Sequence, residues 1–431
     1  MGLFASIFLK FNLPDATTWF YFSLLLAVAL FFKFSRLLSV RNWDVLTLFL
    51  LVPGLLLRQE AAAGSAPETE AVKPPAPTVE ANSAAASSRS MMWFAYLWLL
   101  CGSGYFFARC LFDLTLVRRP AVTPNLNLAG LAWLGAALLV CLAAVAIRRL
   151  PGSDGTLDSL AIARCSAAIT CQVLVAAALV FIGAWHFQDS HAGMAAATFY
   201  LLLPYTAQSF DQLAHVLPMA LVLWAVAAYP WPTVAGLLLG LAAGTVQFPA
   251  LLFPVWLSFY WRRGAGRFSV AFLLAAALGG SITGLVLWLG GPPADELVSA
   301  LPLGGWQQSV PRGTEGFWAG VHLAYRIPVF VVYLAFATAT LFWPRPKNLA
   351  HLVALSAALL LGVQFWYADR GGSYVLWYLP LLLLLVFRPN LTERQPTAIH
   401  PDADWLHRLG RNSLRLLKRI MRVPEPTVAV H

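Results

Sequence analysis

The sequence predicts an all-α, polytopic membrane protein, a bundle of about 11–13 transmembrane helices. Three observations predict it. Only 11% of the 431 residues are charged and 59% are hydrophobic. A water-soluble domain carries about 25% charged residues, so this chain has too little polar surface for a water-facing shell. The apolar residues fall in repeated runs near the ~20 residues that an α-helix needs to cross a bilayer. Those runs lack the period-two alternation of a transmembrane barrel. The 17 Trp and 28 Phe suit aromatic belts at the two membrane interfaces.

The formal net charge of +10 does not point to nucleic acid. The basic residues are spread over short loops and one tail, with no basic patch interleaved with aromatics. At helix ends they carry orientation instead. The five cysteines, Cys101, Cys110, Cys141, Cys165 and Cys171, all lie in apolar segments. Their number is odd and no pair has metal-ligand spacing, so they read as core thiols and no metal is expected.

In chain order, 19–32 and 45–57 form an N-terminal helical pair within residues 1–57. Residues 58–90 turn abruptly to Ala, Pro, Glu and Ser. Such a segment buries too little apolar area to offset its ordering entropy, and it is expected to be a disordered linker. The transmembrane body spans 91–388, with runs at 92–116, 128–147, 161–184, 193–205, 213–228, 233–246, 249–261, 269–288, 318–343, 349–366 and 374–387. Several are short, and those beside Pro204 and Pro249 are expected to be bent or partly re-entrant. Irregular backbone at membrane depth is tolerated only where protein buries it or a wet cavity lies beside it.

The tail, 389–431, holds Trp405, Leu406, Leu409, Leu416, Leu417 and Ile420 at helical spacing. Arg408, Arg411, Arg415, Lys418, Arg419 and Arg422 fall between them. This pattern predicts a basic amphipathic helix lying on an anionic inner leaflet, with a solvated tail as the plainer reading. Basic clusters after 32, 116, 261 and 343 agree with the tail on a cytoplasmic C-terminus. The expected location is the inner membrane of a bacterial cell.

Ionisable residues in such a chain mark function or internal packing. Asp211 and His215 fall one helical turn apart on one face if a helix starts near Asp211. That pair could serve as a general base, and Asp211 equally suits an N-cap. Asp369, Arg370 and Tyr374 flank a Gly-Gly turn with aromatics beyond it. Arg suits bidentate phosphate binding, and an Asp–Arg surface pair is the alternative. Asp154 and Asp158 sit in a short loop whose Gly152-Ser153-Asp154-Gly155 is turn chemistry first. The loop 291–317 is rich in Trp, Gln and acids. His186, Asp189 and His191 have no zinc spacing and read as a polar loop.

The run Gly236-Leu-Leu-Leu-Gly240, the polar break at Thr245-Val246-Gln247, the Pro249 helix and the basic Trp261-Arg262-Arg263 resemble the GT-C type integral-membrane glycosyltransferases. The likeness extends to the polyprenyl-phosphate-mannose-dependent mannosyltransferases among them. It covers roughly 161–261, more weakly to 387. It implies a sugar moved from a polyprenyl-phosphate-linked donor to an extracytoplasmic acceptor, with membrane lipids as surroundings and no further cofactor. By that resemblance Asp211, Asp158 or Asp154 is the catalytic acid-base group. His215, Asp369, Arg370 and Tyr374 would bind substrate. A transporter or flippase for a lipid or small solute, and a non-catalytic membrane scaffold, are the other readings.

Overall fold

A computed structural model describes residues 23–27, 40–65, 79–113, 128–149, 159–208, 213–289, 316–318, 321–367, 371–389, 391, 393–396, 412, 413 and 415. Among them every regular element is helical and no strand occurs. The helices are α1 (Val40–Leu50), α2 (Val52–Ser65), α3 (Val79–Asp113), α4 (Leu128–Arg149), α5 (Ser159–Phe181), α6 (Ser190–Leu202) and α7 (Pro204–Gln208). They continue as α8 (Leu213–Ala227), α9 (Pro232–Thr245), α10 (Phe253–Phe259), α11 (Ala265–Leu289), α12 (Arg326–Phe342), α13 (Leu349–Trp366) and α14 (Leu379–Phe387). Four helical stretches, Ser88–Phe112, Cys165–His186, Ala265–Leu285 and Leu349–Trp366, are long and apolar enough to cross a membrane, and five more apolar helices are shorter. The chain is an all-α bundle of membrane-protein character.

Sequence-expected boundaries shift for local reasons. Helical backbone runs on to Ser65 and resumes at Val79, so it covers both ends of the expected 58–90 linker. The Ala-rich stretches 61–63 and 84–86 have the highest intrinsic helix propensity; residues 66–78 lie outside the described residues. The expected tail helix also lies outside them, apart from Asn412, Ser413 and Arg415, which are helical. The expected polar loop at His186–His191 is more ordered than that. The end of α5 widens into a π-turn, Ile182–His186. Asp189 then caps α6 by accepting from Ala192 N at 3.0 Å.

Prolines place the breaks. Leu203, before Pro204, is extended at φ −70°, ψ 138° and ends α6, because a proline ring disfavours helical backbone in the residue ahead of it. Val246 is extended at φ −141°, ψ 143° and ends α9. A 3₁₀ turn, Phe248–Leu252, follows with Pro249 in its first positions.

α13 lies at the centre. It has the length to span a bilayer, yet it is buried along nearly its whole length. α3, α10, α12 and α14 wall it in. Asn348 starts it with a capping box in which His351 N donates to Asn348 Oδ1 at 2.9 Å. α9 and α11 cross closely through Gly236, Gly240 and Gly244. A Cβ at Gly236 would stand 2.5 Å from Phe268 O, and one at Gly244 would stand 2.6 Å from Gly280 N. Thr283 Oγ1 bonds Gly244 O across the seam at 3.1 Å.

The bundle has two distinct ends. At one, Arg263 Nη1 donates to Pro396 O at 2.8 Å, Tyr260 OH to Tyr229 O at 2.8 Å and Leu349 N to Arg394 O at 2.8 Å. Four exposed tryptophans, Trp185, Trp231, Trp261 and Trp343, sit in the turns of this end, an interfacial belt of the kind that bilayers favour. The other end gathers Tyr367, the turn that follows it, the start of α8 and the break after α9.

Candidate functional site

The site is built on a turn that Gln364 holds. This residue is fully buried in the last turn of α13. Its Oε1 accepts from Gly372 N at 2.9 Å and Tyr374 N at 3.4 Å. One side-chain carbonyl therefore bends the chain back toward the bundle. Gly372 lies at φ +91°, a left-handed conformation that a Cβ disfavours. A short 3₁₀ helix, Val375–Trp377, follows. With three residues per turn, positions i and i+3 eclipse, and Tyr374 and Trp377 indeed stack at 4.2 Å and 9°.

His215 meets this pair from the first turn of α8. Trp377 Nε1 donates to His215 Nδ1 at 3.2 Å. An indole can only donate, so Nδ1 is the acceptor and the ring proton of the neutral imidazole sits on Nε2. The His215 ring lies 5.7 Å from that of Tyr374 and 6.0 Å from that of Trp377. The break after α9 supplies Phe248, 4.2 Å from Trp377 and 4.9 Å edge-on to Tyr367. Tyr367 in turn meets Tyr374 at 5.7 Å. Five rings from three separate stretches of chain thus make one aromatic wall. Behind it, between Met219, Val246, Phe248 and Trp377, is an apolar crevice of about 10 Å³, room for one water-sized group and no more.

His215 and Tyr374, 159 positions apart in sequence, are therefore brought together. Asp154, Asp158, Asp211, Asp369 and Arg370 lie outside the described residues. So does the loop 291–317 up to 315; beyond it, Trp318 Nε1 donates to Phe365 O at 2.8 Å and Phe317 faces Trp93 at 6.3 Å. His186 is a packing histidine: it is 4% exposed and bonded to Ala227 O at 2.7 Å. Among the described residues no three His, Cys, Asp or Glu side chains form a metal-binding group. Cys110, Cys141 and Cys171 are buried, and Cys141 Sγ donates to Leu201 O at 3.0 Å.

Two polar features were missed by sequence reasoning. Arg326 is 3% exposed at the start of α12. Its Nε donates to Trp366 O at 3.2 Å, and its Nη2 is buried with no hydrogen-bond partner. In sequence it is one more arginine at a helix end. Asp44 is 2% exposed on α1. Arg109 Nε reaches both its oxygens, at 3.1 and 3.2 Å, and Tyr105 OH donates to Oδ1 at 3.0 Å. Arg109 lies ten positions along α3 from Leu99, so this ion pair sits about 15 Å deeper than the Gly372 turn, against which Leu99 packs. The signal available was the charge itself, since an ionisable residue inside an apolar run needs a partner.

At the opposite end Lys347 is 5% exposed. Its Nζ donates to Ser258 Oγ at 2.8 Å and Pro344 O at 3.1 Å. Burial pushes its pKa down to about 8, and the positive charge of Arg345 adds to the effect. Compared with known proteins, the chain matches no protein-family model, no curated protein and no solved structure.

Proposed function

We propose that the protein is a GT-C-like membrane glycosyltransferase, taking a sugar from a polyprenyl-phosphate-linked donor to an acceptor outside the cytoplasm. One observation supports the reading most. His215, Tyr374, Trp377, Phe248 and Tyr367 converge at the bundle end where helix breaks meet a Gly-Gly turn. Aromatic faces suit the apolar faces of a sugar ring, and the imidazole Nε2–H suits a hydroxyl or phosphate oxygen.

In this reading one acid, Asp211, Asp158 or Asp154, takes the proton of the acceptor hydroxyl. Its oxygen attacks the anomeric carbon, and the lipid phosphate leaves with the bonding pair. Arg370 holds the leaving phosphate, and Asp369 binds substrate beside it in the sequence. His215 and Tyr374 position the sugar. The C-terminus lies in the cytoplasm of a bacterial cell, where the Arg263, Lys347 and Arg394 end meets an anionic leaflet.

The test is sugar transfer by the protein reconstituted with radiolabelled polyprenyl-phosphate sugar and acceptor lipid. Asn in place of the true base should lower kcat by about 10²–10⁴-fold. Should Asp211→Asn, Asp158→Asn and Asp154→Asn all transfer at the wild-type rate, the transferase reading fails. The extended breaks at Leu203 and Val246 favour a second reading, a lipid or small-solute transporter. It calls for lipid or solute movement across vesicles without sugar transfer.

A further inference from the structure

α12 turns one face to the end of α13. Arg326, Phe330 and Tyr333, at i, i+4 and i+7, all lie against Trp366. Arg326 Nε bonds its carbonyl at 3.2 Å, and the Phe330 and Tyr333 rings lie 4.8 and 5.7 Å from its indole. The same face carries two buried polar atoms with no hydrogen-bond partner, Arg326 Nη2 and Tyr333 OH. Helical side chains lean toward the helix N-terminus, so the Tyr333 side chain lies over the Phe330 turn, on the Arg326 side of its own position. Among the described residues no carboxylate pairs with Arg326. A buried guanidinium without a counter-ion opposes folding, and an anion arriving from outside would complete it. The flank of α12 beside this face is bare and apolar, with Ile327 44% and Leu334 42% exposed. A ligand reaching Arg326 along that flank comes from the bilayer.

We propose that Arg326 and Tyr333 form an anion site for the phosphate headgroup of a membrane lipid. With Nε held by the Trp366 carbonyl, the Nη1/Nη2 edge of the guanidinium is the fork that takes two phosphate oxygens. The Tyr333 hydroxyl donates to a third. The acyl or prenyl chain lies along Ile327 and Leu334.

The experiment is a titration of the full-length protein in neutral maltoside micelles, reading binding of ³²P-labelled dodecyl phosphate and the midpoint of thermal unfolding. Parallel arms use inorganic phosphate and uncharged dodecanol. Dodecyl phosphate is expected to bind saturably and raise the midpoint, dodecanol to do neither, and inorganic phosphate to need about 100-fold higher concentration. Arg326→Gln should weaken dodecyl phosphate about tenfold or more and Tyr333→Phe about threefold. Arg326→Lys, which keeps the charge without the fork, should fall between wild type and Arg326→Gln. The ligand-free Arg326→Gln protein should melt no lower than wild type, since it loses an uncompensated buried charge.

Unchanged affinity in Arg326→Gln overturns the site; if that variant does not fold, unchanged affinity in both Arg326→Lys and Tyr333→Phe does so. Inorganic phosphate as potent as dodecyl phosphate overturns the lipid assignment. The site stands apart from the transferase reading: a protein that binds dodecyl phosphate through Arg326 and moves no sugar would retire that reading and keep this one.

Discussion

The Gln364 carboxamide holds two backbone N–H groups, the buried one of Gly372 and the half-buried one of Tyr374. Gln364→Leu keeps the volume and removes the acceptor, leaving the buried Gly372 donor unsatisfied at about 1–3 kcal/mol. Thermal unfolding in detergent should drop accordingly, and the Trp377–His215 bond should loosen with the turn. Gly372→Ala tests the same turn through its backbone. At φ +91° a methyl group costs about 1–2 kcal/mol, and a melting point equal to wild type would show that the turn is not held as described. Lys347 gives a pH signature at this scale. Its pKa falls from 10.5 to about 8 on folding, so between those values the unfolded chain binds more protons. Stability therefore rises with pH across that window. Lys347→Met should flatten this rise, measured as the difference in melting midpoint between variant and wild type from pH 7.5 to 9.5. Identical pH profiles would mean that the ammonium is not desolvated.

Among elements, the α9–α11 seam and the α1–α3 pair make contrasting claims. Gly240 sits mid-seam between Gly236 and Gly244, where backbone meets backbone. Gly240→Leu forces the helices apart and should cost more than about 2 kcal/mol, or abolish folding in detergent. Asp44 and Arg109 hold α1 to α3 by charge. Removing either alone strands a buried charge, at about 3–5 kcal/mol, whereas Asp44→Leu with Arg109→Met together should cost much less. Additive single and double effects would sink the ion-pair account. These two seams also mark what was legible in the chain. The Gly236/Gly240/Gly244 spacing and the breaks near Pro204 and Pro249 are local patterns, so sequence carries them directly. The Asp44–Arg109 pair joins residues 65 apart, and Arg326 is set apart by a buried Nη2 that finds no partner among the described residues; neither follows from periodicity. His215 and Tyr374 could be singled out because both are polar groups at helix ends, but nothing in their own stretches says that they touch. Apolar patterning fixes which face of a helix is buried, while the angle between helices decides which polar ends meet.

For the whole molecule the open variable is which end faces the cytoplasm. α12 offers a clean measurement, because its two flanks belong to opposite ends. Tyr325 is 70% exposed just before it, next to Arg326, whose Nε bonds Trp366 O at the end of α13. Arg345 is exposed just after it, its guanidinium 5.5 Å from the Phe342 ring, in the turn that carries Lys347. The 17 residues of α12 rise about 25 Å, close to the ~30 Å hydrocarbon core. In a background with the five cysteines replaced, Tyr325→Cys should react with a membrane-impermeant maleimide added to intact cells, and Arg345→Cys only after permeabilisation. The reverse pattern would put the Arg263, Lys347 and Arg394 end outside, against the preference of basic residues for the cytoplasmic face. It would also turn the His215–Tyr374 wall inward, where an extracytoplasmic acceptor could not reach it. The transferase proposal would then fall on topology alone, whatever the side chains at the site can do. The Arg326 anion site would survive, with its lipid drawn from the inner leaflet instead.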